Sequence, residues 1–169
     1  MKAKKSILYI LLIFFSIFIA SCGTSQKQSN KNFYAQYSKK LGVNLTGKED
    51  KKLIKEMAEW KGTRYKYGGT TKAGTDCSGF VSSIYMNVYG KKLHRTSRDM
   101  IKDVRKISRK SLETGDLIFF KTSGKKISHV GIYIADNKFI HAASKGVVVN
   151  DLDQSYYKKA YYKAGKVKM

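Results

Sequence analysis

The sequence contains no proline, only two cysteines and few acidic residues. Without proline, the 169-residue chain has neither cis-proline turns nor a proline-rich linker. Asp and Glu number 12 against 34 Lys and Arg, so the formal net charge is +22 at pH 7. This excess is typical of proteins that contact nucleic acid, an anionic membrane surface or an acidic wall polymer. A lysine-rich composition that only solvates the surface explains it equally well.

The N-terminal region lacks an apolar run long enough to span a membrane. Residues 7–20 form a nearly unbroken apolar run, but a membrane-spanning helix needs about 20 residues. The run follows three lysines and ends in Ile-Ala-Ser-Cys at residues 19–22, which predicts a signal peptide over residues 1–21. The ending resembles the lipobox of bacterial lipoproteins, so we expect Cys22 to carry lipid and anchor the protein in a membrane. An uncleaved N-terminal anchor is the alternative.

With Cys22 assigned to lipid, Cys77 is a lone thiol in an exported protein. Exported proteins generally pair their cysteines or lack them, so a reactive role is one explanation and a buried, inert thiol is the other. Asp76 is a good N-cap for the helix predicted after it. Cys77 is then in the first turn of that helix, where unpaired N–H groups and the helix dipole favour a thiolate.

The chain predicts helices first and strands later. Residues 22–47 are polar and are expected to form a flexible tether, which leaves residues 48–169 as one folded domain. Apolar residues at helical spacing predict helices after Lys48, Asp76 and Thr96. Short β-branched or aromatic runs predict five strands, over residues 117–120, 130–134, 138–142, 147–149 and 160–162. This order indicates an α+β domain in which N-terminal helices pack on an antiparallel sheet.

Two of the three histidines, His129 and His141, are on neighbouring predicted strands. A two-residue loop between these strands would put the two imidazoles on opposite faces of the sheet. A three-residue loop, with Asn137 left-handed, would pair Tyr133 with Phe139 and make the histidines diagonal neighbours on one face. We predict the three-residue loop.

In this register His129 can act as the base beside Cys77, and His141 can orient His129 through the other ring nitrogen. On spacing alone, each histidine is equally well explained as a satisfied polar residue on a sheet. A zinc site built from the same three residues is disfavoured because no close ligand pair is present, so we expect no metal. A glycosidase that uses Asp76 and Asp116 ranks last, since both acids stand in capping or turn contexts.

Five stretches together resemble the NlpC/P60 family of cell-wall peptidases. They are GTRYKYGG at residues 62–69, TDCSGFV at 75–81, LHRTS at 93–97, GDLIFF at 115–120 and HVGIYIADNKFIHA at 129–142. Their order, spacing and context agree, and they cover nearly all of the chain from residue 48 onward. The resemblance implies a papain-like fold in which Cys77 is the nucleophile, His129 the base and His141 the orienting third member.

The resemblance also implies roles for residues around the thiol. The hydroxyl of Tyr65 would join the Cys77 backbone N–H in stabilising an oxyanion. Asp76 and Ser78 would line the groove that binds the peptide. His94 stands where the family has proline, so we interpret it as a surface or groove residue without a catalytic role.

The function that the resemblance implies is a cysteine endopeptidase of peptidoglycan stem peptides. The expected bond joins the side-chain carboxyl of D-glutamate to a diamino acid, and no cofactor is needed. We expect a lipid-anchored monomer of the cell envelope that faces the wall, with peptidoglycan peptides and the membrane as partners. Export argues against nucleic acid. The alternative is a non-catalytic wall-binding scaffold, or an enzyme activated by a regulatory protein partner.

Overall fold

The computed structural model describes residues 25–169, so the predicted signal peptide and Cys22 lie outside the described residues. The chain divides into two units, residues 1–36 and 37–169. Residues 25–36 are helical, and this helix (α1) continues to residue 41 in the second unit. Within residues 25–169, no helix combines the length and the apolar character that crossing a membrane requires.

Helix α1 occupies residues 25–41 of the segment that was expected to be a tether, and residues 42–47 have no regular secondary structure. No glycine or proline interrupts residues 24–41, and the aromatic and aliphatic residues Phe33, Tyr37 and Leu41 recur at a helical spacing of four. Gly42 ends the helix with a positive φ of 74°, and its N–H donates to the carbonyl of Ser38 at 2.8 Å. Because Leu41 is buried, the folded unit begins before residue 48.

The first two helices of the predicted domain are confirmed, and each has an aspartate N-cap. Helix α2 covers Lys51–Trp60, and the Asp50 carboxylate accepts from the first-turn N–H groups. Helix α3 covers Cys77–Tyr89, with Asp76 as the N-cap. Gly90 ends α3 in the left-handed region at φ 64°.

The helix predicted after Thr96 is wrong. The expected capping pair is present, since Thr96 Oγ1 accepts from the Asp99 N–H at 3.1 Å, but it opens only a 3-10 helix, Asp99–Asp103. Strand β3, Val104–Ile107, follows at once and pairs with a strand near the C-terminus. A long-range strand pairing therefore overrides the local helical spacing.

The remaining elements build two sheets, and the α+β class is confirmed. Strands β1 and β2, Thr70–Thr71 and Gly74–Thr75, form a small ribbon. A six-stranded antiparallel sheet has the order β3-β8-β4-β5-β6-β7. After β3 its strands are β4 Leu117–Phe120, β5 His129–Ala135, β6 Lys138–Ala143, β7 Gly146–Asp151 and β8 Tyr161–Val167. A short helix, α4 (Ser155–Ala160), precedes β8.

Helix α3 packs on the sheet through an apolar face. Phe80, Val81 and Ile84 of this face are fully buried, and α3 contacts β5, β6 and α2. All four residues of β4 are buried as well, so the core lies between α3 and the centre of the sheet. This packing holds the first turn of α3 against the beginning of β5.

The β5–β6 hairpin has the predicted register but not the predicted loop. Tyr133 pairs with Phe139, as expected, whereas Ala135 pairs with Lys138 and closes a two-residue turn. Both turn residues have positive φ, Asp136 at 53° and Asn137 at 57°. The prediction places one extra residue in the loop, whereas the structure places it in a bulge between Tyr133 and Ala135. The register that brings the histidines onto one face is therefore confirmed, and the three-residue loop is wrong.

Candidate active site

Cys77 begins α3 and is half-buried at the floor of a groove. The Asp76 carboxylate caps the helix by accepting from the Gly79 N–H at 2.7 Å. The pKa of the thiol is raised, because burial outweighs the effect of nearby backbone N–H groups. Those groups belong to Val130 on β5 and to Ser78 and Cys77 in the first turn of α3. The neutral thiol is thus favoured, and formation of the thiolate requires a base that accepts the proton.

His129 and His141 are in direct hydrogen-bond contact, with His129 Nε2 and His141 Nδ1 2.7 Å apart. The rings meet edge to face, and the ring of His141 stacks on Phe139 of the same strand. Gly131 lies between His129 and His141 on the shared face. Because it has no side chain, it leaves room for the side chains of Phe139 and His141. A Cβ atom at Gly131 would lie 2.7 Å from the Phe139 ring and 3.1 Å from the His141 Cβ.

The hydrogen bonds behind His141 determine which ring nitrogens carry protons. Asn150 of β7 donates through Nδ2 to Gln154 Oε1 at 3.0 Å, so its Oδ1 faces His141 Nε2, also at 3.0 Å. His141 therefore donates from Nε2 and accepts at Nδ1. His129 must then donate from Nε2, which leaves its Nδ1 unprotonated. The Tyr157 hydroxyl lies 3.3 Å from His141 Nε2 and completes this network.

Burial keeps both imidazoles neutral. Burial, with a smaller effect from His141, lowers the pKa of His129 to about 3. Burial also lowers the pKa of His141 to about 4, although the hydrogen bond to Asn150 opposes the shift. His141 is only 1% exposed, whereas His129 is partly exposed. The resting site therefore has a neutral thiol and two neutral imidazoles.

A groove of about 890 Å³ provides access to Cys77. Tyr65 and Tyr67 line it before α3, and the loop of residues 123–128 lines it after β4. The Tyr65 side chain is 42% exposed. Burial raises the pKa of its hydroxyl, with a further contribution from the nearby Cys77. Tyr65 and the thiol thus share the groove, as the resemblance implies.

Asp76 and Ser78 also reach the groove, where both are bound to Arg95. The guanidinium of Arg95 makes two bonds to Asp76, of 2.9 and 2.6 Å, and one to the Ser78 hydroxyl of 2.8 Å. Burial opposes the charge on Asp76, but Arg95 and the N–H groups of Gly79 and Gly68 hold the pKa of its carboxyl below the usual value. Asp76 is therefore both a helix cap and the partner of a groove cation.

Arg95, Asn150 and Tyr157 contact the candidate site residues, and the sequence analysis singles out none of the three. Arg95 is within LHRTS, one of the stretches that carry the resemblance, so a signal existed for it. Asn150 and Tyr157 follow the last of those stretches, and nothing local marks them. His94 is exposed and bonds through Nδ1 to Asp103 at 2.7 Å, away from the groove lining.

The rival sites receive no support from the geometry. Asp116 is buried, accepts from the Glu113 N–H at 2.7 Å and is not part of the groove lining that contains Asp76. Within residues 25–169, no group of three or more His, Cys, Asp or Glu side chains is arranged to hold a metal ion.

The thiol thus lies in the first turn of α3, where it is reached by the Val130 backbone of β5, and the hydrogen-bonded imidazoles lie on β5 and β6 of the antiparallel sheet. Residues 62–166 match the NlpC/P60 family, and the chain belongs to that family. The fold is correspondingly the papain-like α+β fold of NlpC/P60 domains.

Named relatives extend the comparison. The chain is 41% identical over 117 residues to the Escherichia coli (strain K12) protein named "Murein DD-endopeptidase MepS/Murein LD-carboxypeptidase". That match covers 69% of this chain and 62% of the relative, so less than two thirds of the relative's length is spanned. A Haemophilus influenzae (strain ATCC 51907 / DSM 11121 / KW20 / Rd) protein named "Probable endopeptidase" is 32% identical over 169 residues, 99% of this chain and 100% of its own.

A solved structure gives the same result for the fold. A protein of Staphylococcus aureus subsp. aureus Mu50, described as similar to a lipoprotein of the NLP/P60 family, superposes with a TM-score of 0.64 at 29% identity. The match covers 72% of this chain and 43% of that one.

Proposed function

We propose that this protein is a cysteine endopeptidase that hydrolyses peptide bonds in peptidoglycan stem peptides. One observation carries the proposal: the hydrogen-bonded series Asn150–His141–His129 leaves His129 Nδ1 unprotonated, and the backbone N–H of Val130, the residue after His129, reaches the Cys77 thiol. The substrate class is supported by family membership and by the murein endopeptidase name of a 41% identical relative.

The mechanism is thiol acyl transfer. As Cys77 Sγ attacks the substrate carbonyl, its proton passes to His129 Nδ1, and a carbon–sulfur bond forms. His141 stabilises the resulting imidazolium of His129 through the bond at Nε2. The Cys77 N–H and the Tyr65 hydroxyl stabilise the negative charge on the carbonyl oxygen. The carbon–nitrogen bond of the substrate then breaks, and His129 gives its proton to the leaving amine, which leaves the acyl group on Cys77 as a thioester.

Hydrolysis of the acyl-enzyme repeats the proton transfers in reverse. His129 takes a proton from water as the water attacks the thioester, and the carbon–sulfur bond breaks. The proton returns to the sulfur, so Cys77 leaves the cycle as a neutral thiol. The raised pKa of the thiol and the low pKa values of the imidazoles fit a neutral resting pair that becomes charged only during attack.

The bond that we propose joins the side-chain carboxyl of D-glutamate to a diamino acid. The groove supports an acidic substrate, because Arg95, Arg98, Lys125 and Lys126 line it. Its two acids are already bound to cations, Asp76 to Arg95 and Asp99 to Lys102. A second candidate is the D,D bond between cross-linked stems, which the name of the Escherichia coli relative favours.

Digestion of purified sacculi and defined muropeptides by the full chain in detergent tests this proposal, with products identified by mass spectrometry. A new amino group on the diamino acid, paired with a stem truncated at D-glutamate, supports the first bond. Conversion of cross-linked dimers into intact monomers supports the second. A chain that binds sacculi but cleaves neither material would instead be a wall-binding scaffold or would require an activating partner.

We also propose that Cys22 carries the lipid that anchors the protein at the envelope. The proposal rests on the lysines, the apolar run and the Ile-Ala-Ser-Cys ending of residues 1–22. In cells, the wild-type chain should partition with membranes, and Cys22→Ser should lose the lipid from the N-terminal peptide. An unlipidated wild-type N-terminus would contradict the proposal.

A further inference from the structure

A shallow depression beside the groove has a one-sided charge. It has a volume of about 380 Å³ and shares Arg98, Lys125, Lys126 and Ile127 with the groove lining. Lys121 and Tyr162 belong to the depression alone. Four of its seven lining residues are therefore cationic, and none is acidic.

No ion pair within residues 25–169 engages these four cations. Lys121 instead lies over the ring of Tyr162, with Nζ 3.9 Å from the ring centroid. Tyr162 is 43% exposed, so part of its ring is open to a ligand. Arg98, Lys125 and Lys126 are exposed and Lys121 is half-buried, so an anionic ligand in the depression can pair with these cations.

The few acidic residues of the chain are unevenly distributed over the depressions of its surface. Another depression, beside the N-terminus of α2, is lined by Glu49, Asp50, Glu113 and Asp136 with only one cation, Lys48. Acids are scarce in this chain, yet they concentrate there and are absent from the depression next to the groove.

We propose that the basic depression binds the carboxylates of a second stem peptide, one that is cross-linked to the stem in the catalytic groove. This inference rests on the proposed function and names the part of the substrate that lies beyond the cleaved bond. Stem peptides carry several carboxylates, and a peptide that leaves the groove past Arg98 and Lys125 reaches Lys121 next. Lys121 and Lys163 both lie over the Tyr162 ring, and the part of this side chain that stays exposed is available for an apolar contact with the peptide.

The test uses two cross-linked muropeptides that share the stem to be cleaved. The second stem has free carboxyl groups in one substrate and amidated carboxyl groups in the other. Binding constants are measured with full-length Cys77→Ala protein in detergent, and kcat/KM with the protein that keeps Cys77. We expect about fivefold tighter binding, and a similar advantage in kcat/KM, for the acidic substrate at low salt.

A matched pair of double variants assigns the effect to the depression. Lys121→Gln with Lys125→Gln should reduce the preference to less than about twofold. Lys52→Gln with Lys92→Gln removes the same charge from residues that line neither the groove nor the depression, and should keep the preference.

The outcomes separate this inference from the proposed function. Cleavage of both substrates without a preference would overturn the inference alone. A binding preference that depends on Lys121 and Lys125, with no cleavage, would contradict the proposed function but retain the acidic-peptide site. A glycerol-phosphate polymer that competes through Lys121 and Lys125, while wild-type protein binds both muropeptides equally, would assign the depression to a phosphate polymer and overturn the inference.

Discussion

At the residue scale, the orientation of His129 depends on side chains that do not face the groove. His141 holds the Nε2 of His129, and Asn150 holds the Nε2 of His141. Each bond decides which nitrogen of the next ring carries the proton. The amide oxygen of Asn150, on β7, therefore determines through His141 that His129 Nδ1 is unprotonated.

Replacing Asn150 should reduce the rate without removing the site. Asn150→Ala deletes the acceptor for His141, so the tautomer that leaves His129 Nδ1 free is no longer favoured, and kcat should fall about tenfold or more. Asn150→Asp retains an acceptor and should restore most of kcat. Its negative charge should also raise the pKa of His141 and shift the acidic limb of the rate profile.

Steady-state kinetics from pH 5 to 9, with thermal unfolding as the control for folding, measures both effects. Equal losses in the two variants, with unchanged pH profiles, would indicate that Asn150 only supports local packing.

The sequence could single out Cys77, His129 and His141 as candidates because the evidence for them is local. A helix-capping residue precedes the thiol. The number of residues in one hairpin determines whether the two histidines lie on the same face of the sheet. Asn150 could not be found in this way. It reaches His141 only because β7 pairs with β6 and places Asn150 opposite Phe139. Tertiary packing determines the register of β6 and β7, and the spacing of residues in the sequence does not predict it.

At the scale of elements, two of the three predicted helices form, whereas the third, after Thr96, is replaced by a short 3-10 helix and strand β3. Helices α2 and α3 have a cap residue, a buried apolar stripe and a stop signal in the sequence itself. Residues 99–107 have a capping pair and helical spacing too, yet Val104 pairs with Val167, more than sixty residues away. Local patterns cannot predict an edge strand whose partner is so distant.

Two adjacent serines of helix α3 differ in hydrogen bonding, so replacing each of them tests how the hydroxyl contributes to stability. Within the described residues, Ser82 Oγ is buried and has no hydrogen-bond partner, whereas Ser83 Oγ donates to the Thr70 carbonyl at 2.8 Å. Ser82→Ala removes an unsatisfied hydroxyl and adds helix propensity, so it should raise the free energy of unfolding by about 0.5–1 kcal/mol.

Ser83→Ala gains the same propensity but loses its hydrogen bond, so it should be neutral or destabilising by up to about 1 kcal/mol. Denaturant unfolding of both variants at pH 7.5 provides the comparison. A destabilised Ser82→Ala protein would mean that Ser82 Oγ has a partner, such as an ordered water.

At the scale of the whole molecule, buried neutral imidazoles make folding sensitive to pH. The folded pKa values of His129 and His141, about 3 and about 4, are below the value of about 6.5 for an unfolded histidine. Below about pH 6.5 the unfolded chain binds protons that the folded chain does not. The free energy of unfolding should therefore decrease from pH 6.5 toward pH 4, by about 1.4 kcal/mol per pH unit for each imidazole.

Urea unfolding at intervals between pH 7.5 and 4.5 measures this slope. The double variant His129→Gln, His141→Gln removes both groups and should have a distinctly shallower slope over the same range. A double variant with the wild-type slope would assign the acid sensitivity to other groups.

Attack by the Cys77 thiol is the step on which the proposed function of the whole molecule depends. The most direct measurement is kcat/KM on a defined muropeptide for the wild-type full chain, Cys77→Ala and Cys77→Ser, with unfolding curves as controls. We predict no turnover above background for Cys77→Ala and a loss of at least about a thousandfold for Cys77→Ser, since a hydroxyl is a far weaker nucleophile in this site. Turnover by folded Cys77→Ala protein within tenfold of wild type would contradict a thiol mechanism.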